Sequence, residues 1–263
     1  MKYRRWNKFS LLFSFLGGLV LLFILAPLAN ITFNTSVSSI FKTLGDDEVS
    51  QSVWLTLWTS MAGTAILAIG AIPLAYLLAR KKFRLKRLVQ GIIDLPVVIP
   101  HSAAGIAILG VVSRNTYVGK IAEFVGLDFV GHPAGIIIAM AFVSVPFLIN
   151  AARDGFEQIP ERTEIAALNL GASPTRVFFA ISLPLAWRNI VSGMILMFAR
   201  GMSEFGAVVI IAYHPMVTPV LIYERFGAFG LDYARPVAII FIAICLVFFI
   251  LLRLMVKEKY SNA

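Results

Sequence analysis

The sequence contains one cysteine, Cys245, inside an apolar run. Neither a disulfide framework nor a cysteine-based metal site can be built from it. Histidine is nearly as scarce: His101, His132 and His214 are far apart, and none forms the i,i+4 pair of a helical zinc site. Charge is also short. Only 14% of the 263 residues are charged and 59% are hydrophobic, against about 25% and about 45–50% in soluble domains. No G-x-S-x-G, H-E-x-x-H or paired acidic motif is present, so an intramembrane enzyme would lack its reacting groups. The G-x(4)-G-K-[ST] phosphate loop is missing too, so this chain is not expected to hydrolyse ATP itself. With no Ser/Gly linker, low-complexity tract or short-period repeat, residues 1–263 read as a single domain.

What remains is apolar sequence in long runs. Six windows are long enough to cross a bilayer: 9–30, 52–79, 91–112, 134–151, 187–212 and 235–256. The first is preceded by basic residues, as a signal peptide would be, but Leu11 to Leu28 exceeds a signal core of about 7–15 residues. An uncleaved span is expected. The fold class is therefore all-α, a polytopic membrane protein of about six transmembrane helices, since helices satisfy their own backbone in lipid.

The formal charge of +9 raises the question of nucleic acid, and its distribution answers it. Seventeen Lys and Arg fall at the two termini, in 80–87 ("RKKFRLKR") and in 152–188, while the intervening loops on the other side hold five. Basic residues collect on the cytoplasmic side. Both termini are thus expected inside, in a multi-pass cell-membrane protein, and no nucleic-acid partner is needed. After the sixth window only the short tail "VKEKYSNA" follows, so no cytoplasmic regulatory domain is expected.

One cytoplasmic loop, 152–186, is built differently from the rest. Pro160 suits a helix start, and Glu161 and Glu164 lie near the positive end of its dipole. Gly171 is a natural left-handed stop. Ser173 can cap a second helix with Pro174 in its first turn, and Pro184 is expected to bend or end that helix. A first helix of about ten residues spans about 15 Å, too short to cross a hydrocarbon core of about 30 Å. Physics alone allows either an interfacial hairpin or a rigid knob offered to a partner. Ala166, Ala167, Gly171, Ala172 and Ser173 would give that knob a small-residue face.

The spacing Gly171, nine residues, Ile181-Ser182-Leu183-Pro184, with Ala166-Ala167 before it, resembles the EAA loop of bacterial and archaeal ABC importer permeases. The resemblance implies that this loop docks the ATP-binding subunit. One departure is clear: the glutamate of that loop falls at 165, where this chain has Ile165, and Glu164 stands one place earlier. "DLPVVIPHSAAGIAIL" (94–109) and "ARGMSEFGAVVIIAYHPMVTPVLIYERF" (199–226) are similar to archaeal molybdate/tungstate importer permeases, with sulfate permeases as close relatives. That likeness implies two copies of the permease, two cytoplasmic ATP-binding subunits that carry the ATP and Mg, and an extracytoplasmic oxyanion-binding protein. A secondary transporter is the rival reading, but a broken helix in one half has no counterpart in the other.

Polar residues inside apolar windows are the remaining candidates. Arg200 and Glu204 are spaced for an i,i+4 pair, with Ser203 beside them. A self-neutralising structural pair is favoured over a charge that meets the permeating anion. Pro96 and Pro100 interrupt the third window, followed by His101, Ser102 and Gly105. This stretch is expected to line or gate a path, with a plain proline kink as the alternative. Asp94 is read as an interfacial cap, and Pro219 to Phe226 as either a surface helix or an ordinary external loop.

Overall fold

The computed structural model describes residues 8–255. The basic residues Lys2, Arg4, Arg5, Lys257 and Lys259 lie outside them. The first helix, α1, runs Lys8–Phe33 and lies exposed along its length, touching the rest of the chain chiefly through the last helix. A short α2, Val37–Leu44, is capped by Ser36, whose hydroxyl accepts the Ser39 N–H. It leads into the longest helix, α3, Asp47–Arg80, capped by Asp46.

The inward face of α3 is small: Ser52, Thr56, Thr59, Ser60, Gly63, Thr64, Ala68, Ala71 and Ala75 are buried at helical spacing. Hydroxyls would be expensive in a dry interior, but Thr56, Thr59 and Thr64 donate to the carbonyl one turn back, at 2.6, 2.6 and 2.9 Å. Close packing follows without unsatisfied donors. The face meets α7, Pro133–Glu157, which is the axis of the molecule, held between α3 and the fifth-window helix. Ala75, Leu78, Leu148, Ala152, Phe156, Ile190 and Met197 form one core at this junction.

Between α3 and α7 the third window does not form one continuous helix. It divides into α4, Lys86–Val98, and α5, His101–Val112, bent by 111°. The cause is local: Pro100 has no N–H, and the residue before a proline is disfavoured in the helical region, so Ile99 is extended (ψ 148°). A surface helix α6, Tyr117–Phe124, capped by Thr116, follows before α7. Asp94 is no cap. It lies within α4 and accepts the Asn150 side-chain amide of α7 at 2.6 Å, because a carboxylate placed there needs a donor.

After α7 come α8, Glu161–Asn169, and α9, Pro174–Val177, joined through Gly171 at φ +88°. A β-carbon would disfavour that left-handed backbone. Ser173 accepts the Arg176 N–H at 3.3 Å, capping α9. Pro184 neither ends nor breaks the next helix, contrary to expectation. A five-residue π-helical stretch, Phe178–Ser182, intervenes, and the Leu183 N–H bonds to the Phe178 carbonyl five residues back. Pro184 is then the second residue of α10, Leu183–Met202, where an N–H is dispensable.

The fifth window, expected as one helix over 187–212, is interrupted. The chain leaves α10 at Ser203 and restarts as α11, Gly206–Ile211. A helix α12, Thr218–Phe229, then precedes α13, Leu231–Met255. The Thr218 N–H, at the start of α12, is satisfied from outside by Thr56 of α3 at 2.8 Å. Among the described residues five helices, counting Pro174–Met202 as one, are long and apolar enough to cross a membrane, and six if α4–α5 counts as a single bent span.

α5 and α11 approach closely at Gly105. A β-carbon there would lie 2.9 Å from the Ala207 carbonyl and 2.9 Å from the Ile210 β-carbon. Gly110, one and a half turns on, has open space. Gly105→Ala is expected to lower stability by about 1–3 kcal/mol through overpacking, while Gly110→Ala is neutral or slightly stabilising. Thermal unfolding of the two variants in detergent provides the comparison.

Candidate functional site

Two polar constellations stand out. The first lies where the breaks at 99–100 and 203–205 meet. Glu204 is completely buried. One carboxylate oxygen accepts the Ala207 N–H at 2.9 Å, so the side chain caps α11 and sits at its positive end. The other oxygen is 2.6 Å from His101 Nδ1 and 2.9 Å from Arg200 Nη2. His101 thus shares a hydrogen bond with the carboxylate through Nδ1.

Arg200 Nη2 also lies 2.8 and 2.9 Å from the two ring nitrogens of His101. A donor in the ring plane could not be that close to both without striking the carbon between them. The guanidinium therefore rests against the ring face, and its other amino group reaches the Ser203 hydroxyl at 3.3 Å. Gly206 makes the junction possible: a β-carbon on it would come 2.7 Å from that of His101.

The starts of α5 and α11 thus lie against each other around one carboxylate, with one imidazole and one guanidinium bound to it. The expected residues are distributed unevenly here. His101, Arg200, Ser203 and Glu204 come together, and Gly105 sits one turn along the same α5–α11 contact. Pro100 makes the bend, Pro96 is buried within α4, and Ser102 is exposed at the start of α5.

The second constellation lies under the α8–α9 hairpin. Glu164 is not on its exposed face, as a docking carboxylate would be, but 7% exposed and turned inward. Arg80, the last residue of α3, grips both its oxygens, Nε at 2.9 Å and Nη2 at 2.8 Å. The same guanidinium donates to the Ile159 carbonyl at 3.2 Å. Ser182 and Tyr76 donate to Glu164 at 2.7 and 3.2 Å.

This inward turn is a matter of register. Residues 164 and 165 differ by about 100° around a helix, so Ile165 and Ala166 are exposed while Glu164 faces α3. Gly171, Ser173 and Pro174 are exposed on the same hairpin, and Ala167 and Ala172 are half-buried. Arg80, Tyr76 and Ser182 were missed from sequence. Arg80 read only as one more cytoplasmic charge, although its place at the end of a span, with an aromatic hydroxyl four residues before it, was a usable signal.

A third set of contacts ties the opposite end of α3. Arg225 of α12 bonds Asp46 at 2.6 Å and Glu48 at 2.9 Å. The Arg225 contact holds the Asp46 carboxyl below the usual carboxylate range. Tyr213 donates to Glu224 nearby.

Residues 71–259 match the family of binding-protein-dependent transport system inner membrane components, and the chain belongs to that family. Its particular relatives follow. The chain is 42% identical over 250 residues to the molybdate/tungstate transport system permease protein WtpB of Thermococcus kodakarensis, covering 94% of this chain and 96% of that one. It is 32% identical over 196 residues to a probable sulfate transport system permease protein of Chlorokybus atmophyticus, covering 73% and 68%. The fold is similar to that in a crystal structure of a bacterial alginate ABC transporter bound to its periplasmic protein, with a TM-score of 0.74, 17% identity and 99% of each chain covered.

The Glu164 environment makes a pH prediction. Burial opposes ionisation, but the hydrogen bonds from Arg80 and Ser182 outweigh it and hold the pKa below its ordinary 4.5. A depressed carboxyl stabilises the fold above its unfolded pKa, and that contribution disappears as pH falls through the folded value. Melting temperature measured from about pH 6 to pH 3 should fall more steeply for the native chain than for Glu164→Gln. At neutral pH the variant is expected to be less stable by about 1–3 kcal/mol.

Proposed function

We propose that this chain is the membrane-spanning subunit of an importer of molybdate/tungstate-type oxyanions. The observation that carries the reading is the 42% identity, over 94% of the chain, to permeases with that name. Two copies form the pore, and an extracytoplasmic protein delivers the anion. ATP and Mg are bound by two cytoplasmic ATP-binding subunits, in keeping with the missing phosphate loop. Both termini and the basic 80–87 segment lie on the cytoplasmic side. The knob 161–182 docks the ATP-binding subunit through its outward face, with Ala166, Gly171, Ser173 and Pro174 exposed and Ala167 and Ala172 partly so. Glu164 supports it from within.

The His101–Glu204–Arg200 cluster is the gate candidate. Its charges hold two helix breaks together, and Ser102, Ser203 and the edge of Arg200 remain exposed beside them. Charges at membrane depth cost about 2.5–3.5 kcal/mol each on insertion scales, so their mutual contacts fix which arrangement of the breaks is stable. Rearranging those contacts is a discrete step, suited to a shift between inward- and outward-open states.

The complex with its ATP-binding subunit, reconstituted in vesicles with binding protein, tests the reading. Hydrolysis should be stimulated by binding protein loaded with molybdate or tungstate, and the anion should accumulate. Failure to form the complex, or stimulation by sulfate alone, would sink it. In the same vesicles Arg200→Ala is expected to retain assembly while uptake falls by about tenfold or more, equivalent to at least about 1.4 kcal/mol. Loss of expression or assembly would assign the cluster a structural role, and normal assembly with unchanged uptake would remove Arg200 from the gate.

A further inference from the structure

The charged contacts of α3 lie at its two ends. At one, Arg80 and, one turn earlier, Tyr76 converge on the single carboxylate of Glu164. At the other, the cap Asp46 and first-turn Glu48 both bind Arg225 of α12. Thr56, two turns further in, holds the Thr218 N–H at the start of α12, and Thr218 itself is fully buried. Between these points the buried face of α3 is mainly small residues and hydroxyls, several of them bonded back to their own helix. Its polar ties to other helices there are Ser60 to the Phe198 carbonyl at 2.8 Å and Thr59 to the Met140 sulfur at 3.5 Å.

A helix of 34 residues is about 51 Å long, which exceeds a hydrocarbon core of about 30 Å. The two clamps therefore lie on opposite sides of the membrane. We infer that α3 is a connecting rod: Arg80 is the positioning residue through which displacement of the α8–α9 knob enters it, and its hold on α12 delivers that displacement to the far side. This rests on the reading of the knob as the docking site of the ATP-binding subunit.

The geometry favours a push along the helix over a bend. Arg80 holds Glu164 with two parallel donors, which resists both sliding and rotation better than one contact would. The anchored residue sits in the first turn of α8, so a movement of the knob's base moves the end of α3 with it. At the far end α12 has no side-chain cap of its own at its start. It borrows Thr56, so its first turn follows α3.

Elements in series make a distinctive prediction. Breaking either end uncouples the whole, and breaking the second end then adds nothing, whereas independent structural contacts give losses that multiply. The test uses the vesicle-reconstituted complex and compares Arg80→Gln, Arg225→Gln and the double variant. Hydrolysis stimulated by loaded binding protein is read against basal hydrolysis, with copurification of the ATP-binding subunit as a control. Arg225→Gln should retain the subunit and basal hydrolysis, and each single variant should lose stimulation, read against its own basal rate, by about 5- to 150-fold, the range of inter-site coupling. The double variant should match the worse single one.

Multiplying losses, or an Arg225→Gln complex stimulated like the native one, would overturn the rod. If Arg80→Gln does not assemble, Arg80→Lys keeps the charge, gives up the two-pronged grip and enters the same comparison. A native complex that never binds the ATP-binding subunit would defeat the docking reading itself. A native complex that couples, with variants whose losses multiply, defeats the rod alone.

Discussion

A carboxylate with no exposure to solvent governs this fold. Two helices stop and restart inside the apolar part of the chain, and each restart leaves backbone donors that lipid cannot satisfy. Glu204 answers one of them directly through the Ala207 N–H. Its negative charge is answered in turn by His101, at the start of the other broken helix, and by Arg200 one turn before it. Removing any of the three would leave a charge or a donor stranded. Both breaks therefore persist together, and the glycines at 105 and 206 are what let the two helix starts come close enough.

The same logic, in a wetter setting, builds the knob. A hairpin of one nine-residue and one four-residue helix cannot hold its own shape by helix propensity. Its rigidity comes from Arg80, Tyr76 and Ser182 arriving at Glu164 from two other segments. Outward side chains are thereby left free of structural duty. That division of labour explains why a carboxylate within the motif-bearing stretch is inaccessible while its neighbours are exposed.

Much of the architecture could be read from sequence because it is locally written. Apolar length marks the spans, Pro100 marks the bend, and Gly171 with Ser173-Pro174 marks the hairpin turn, each within a few residues. The break at 203–205 could not be read. Arg200 and Glu204 have the spacing of a continuous helix, and the residue that makes interruption affordable, His101, lies about a hundred positions away. The inward turn of Glu164 could not be read for a similar reason. Its orientation is decided by an arginine on α3, and a one-residue register is a third of a turn. Pro184 misled because a π-helical turn, which accepts a missing donor without breaking, leaves no mark in composition.

That π-helical turn also limits how the loop can vary. It accommodates one residue more than an α-helix would over the same rise, and so fixes the angular setting of Ser182 towards Glu164 and of α10 towards α7 at once. Loops generally absorb insertions and deletions. Here a single residue gained or lost between Pro174 and Ser182 would rotate Ser182 relative to Glu164 by about 100°. The hairpin behaves as a loop in its exposure but as a core segment in its intolerance of changes in length.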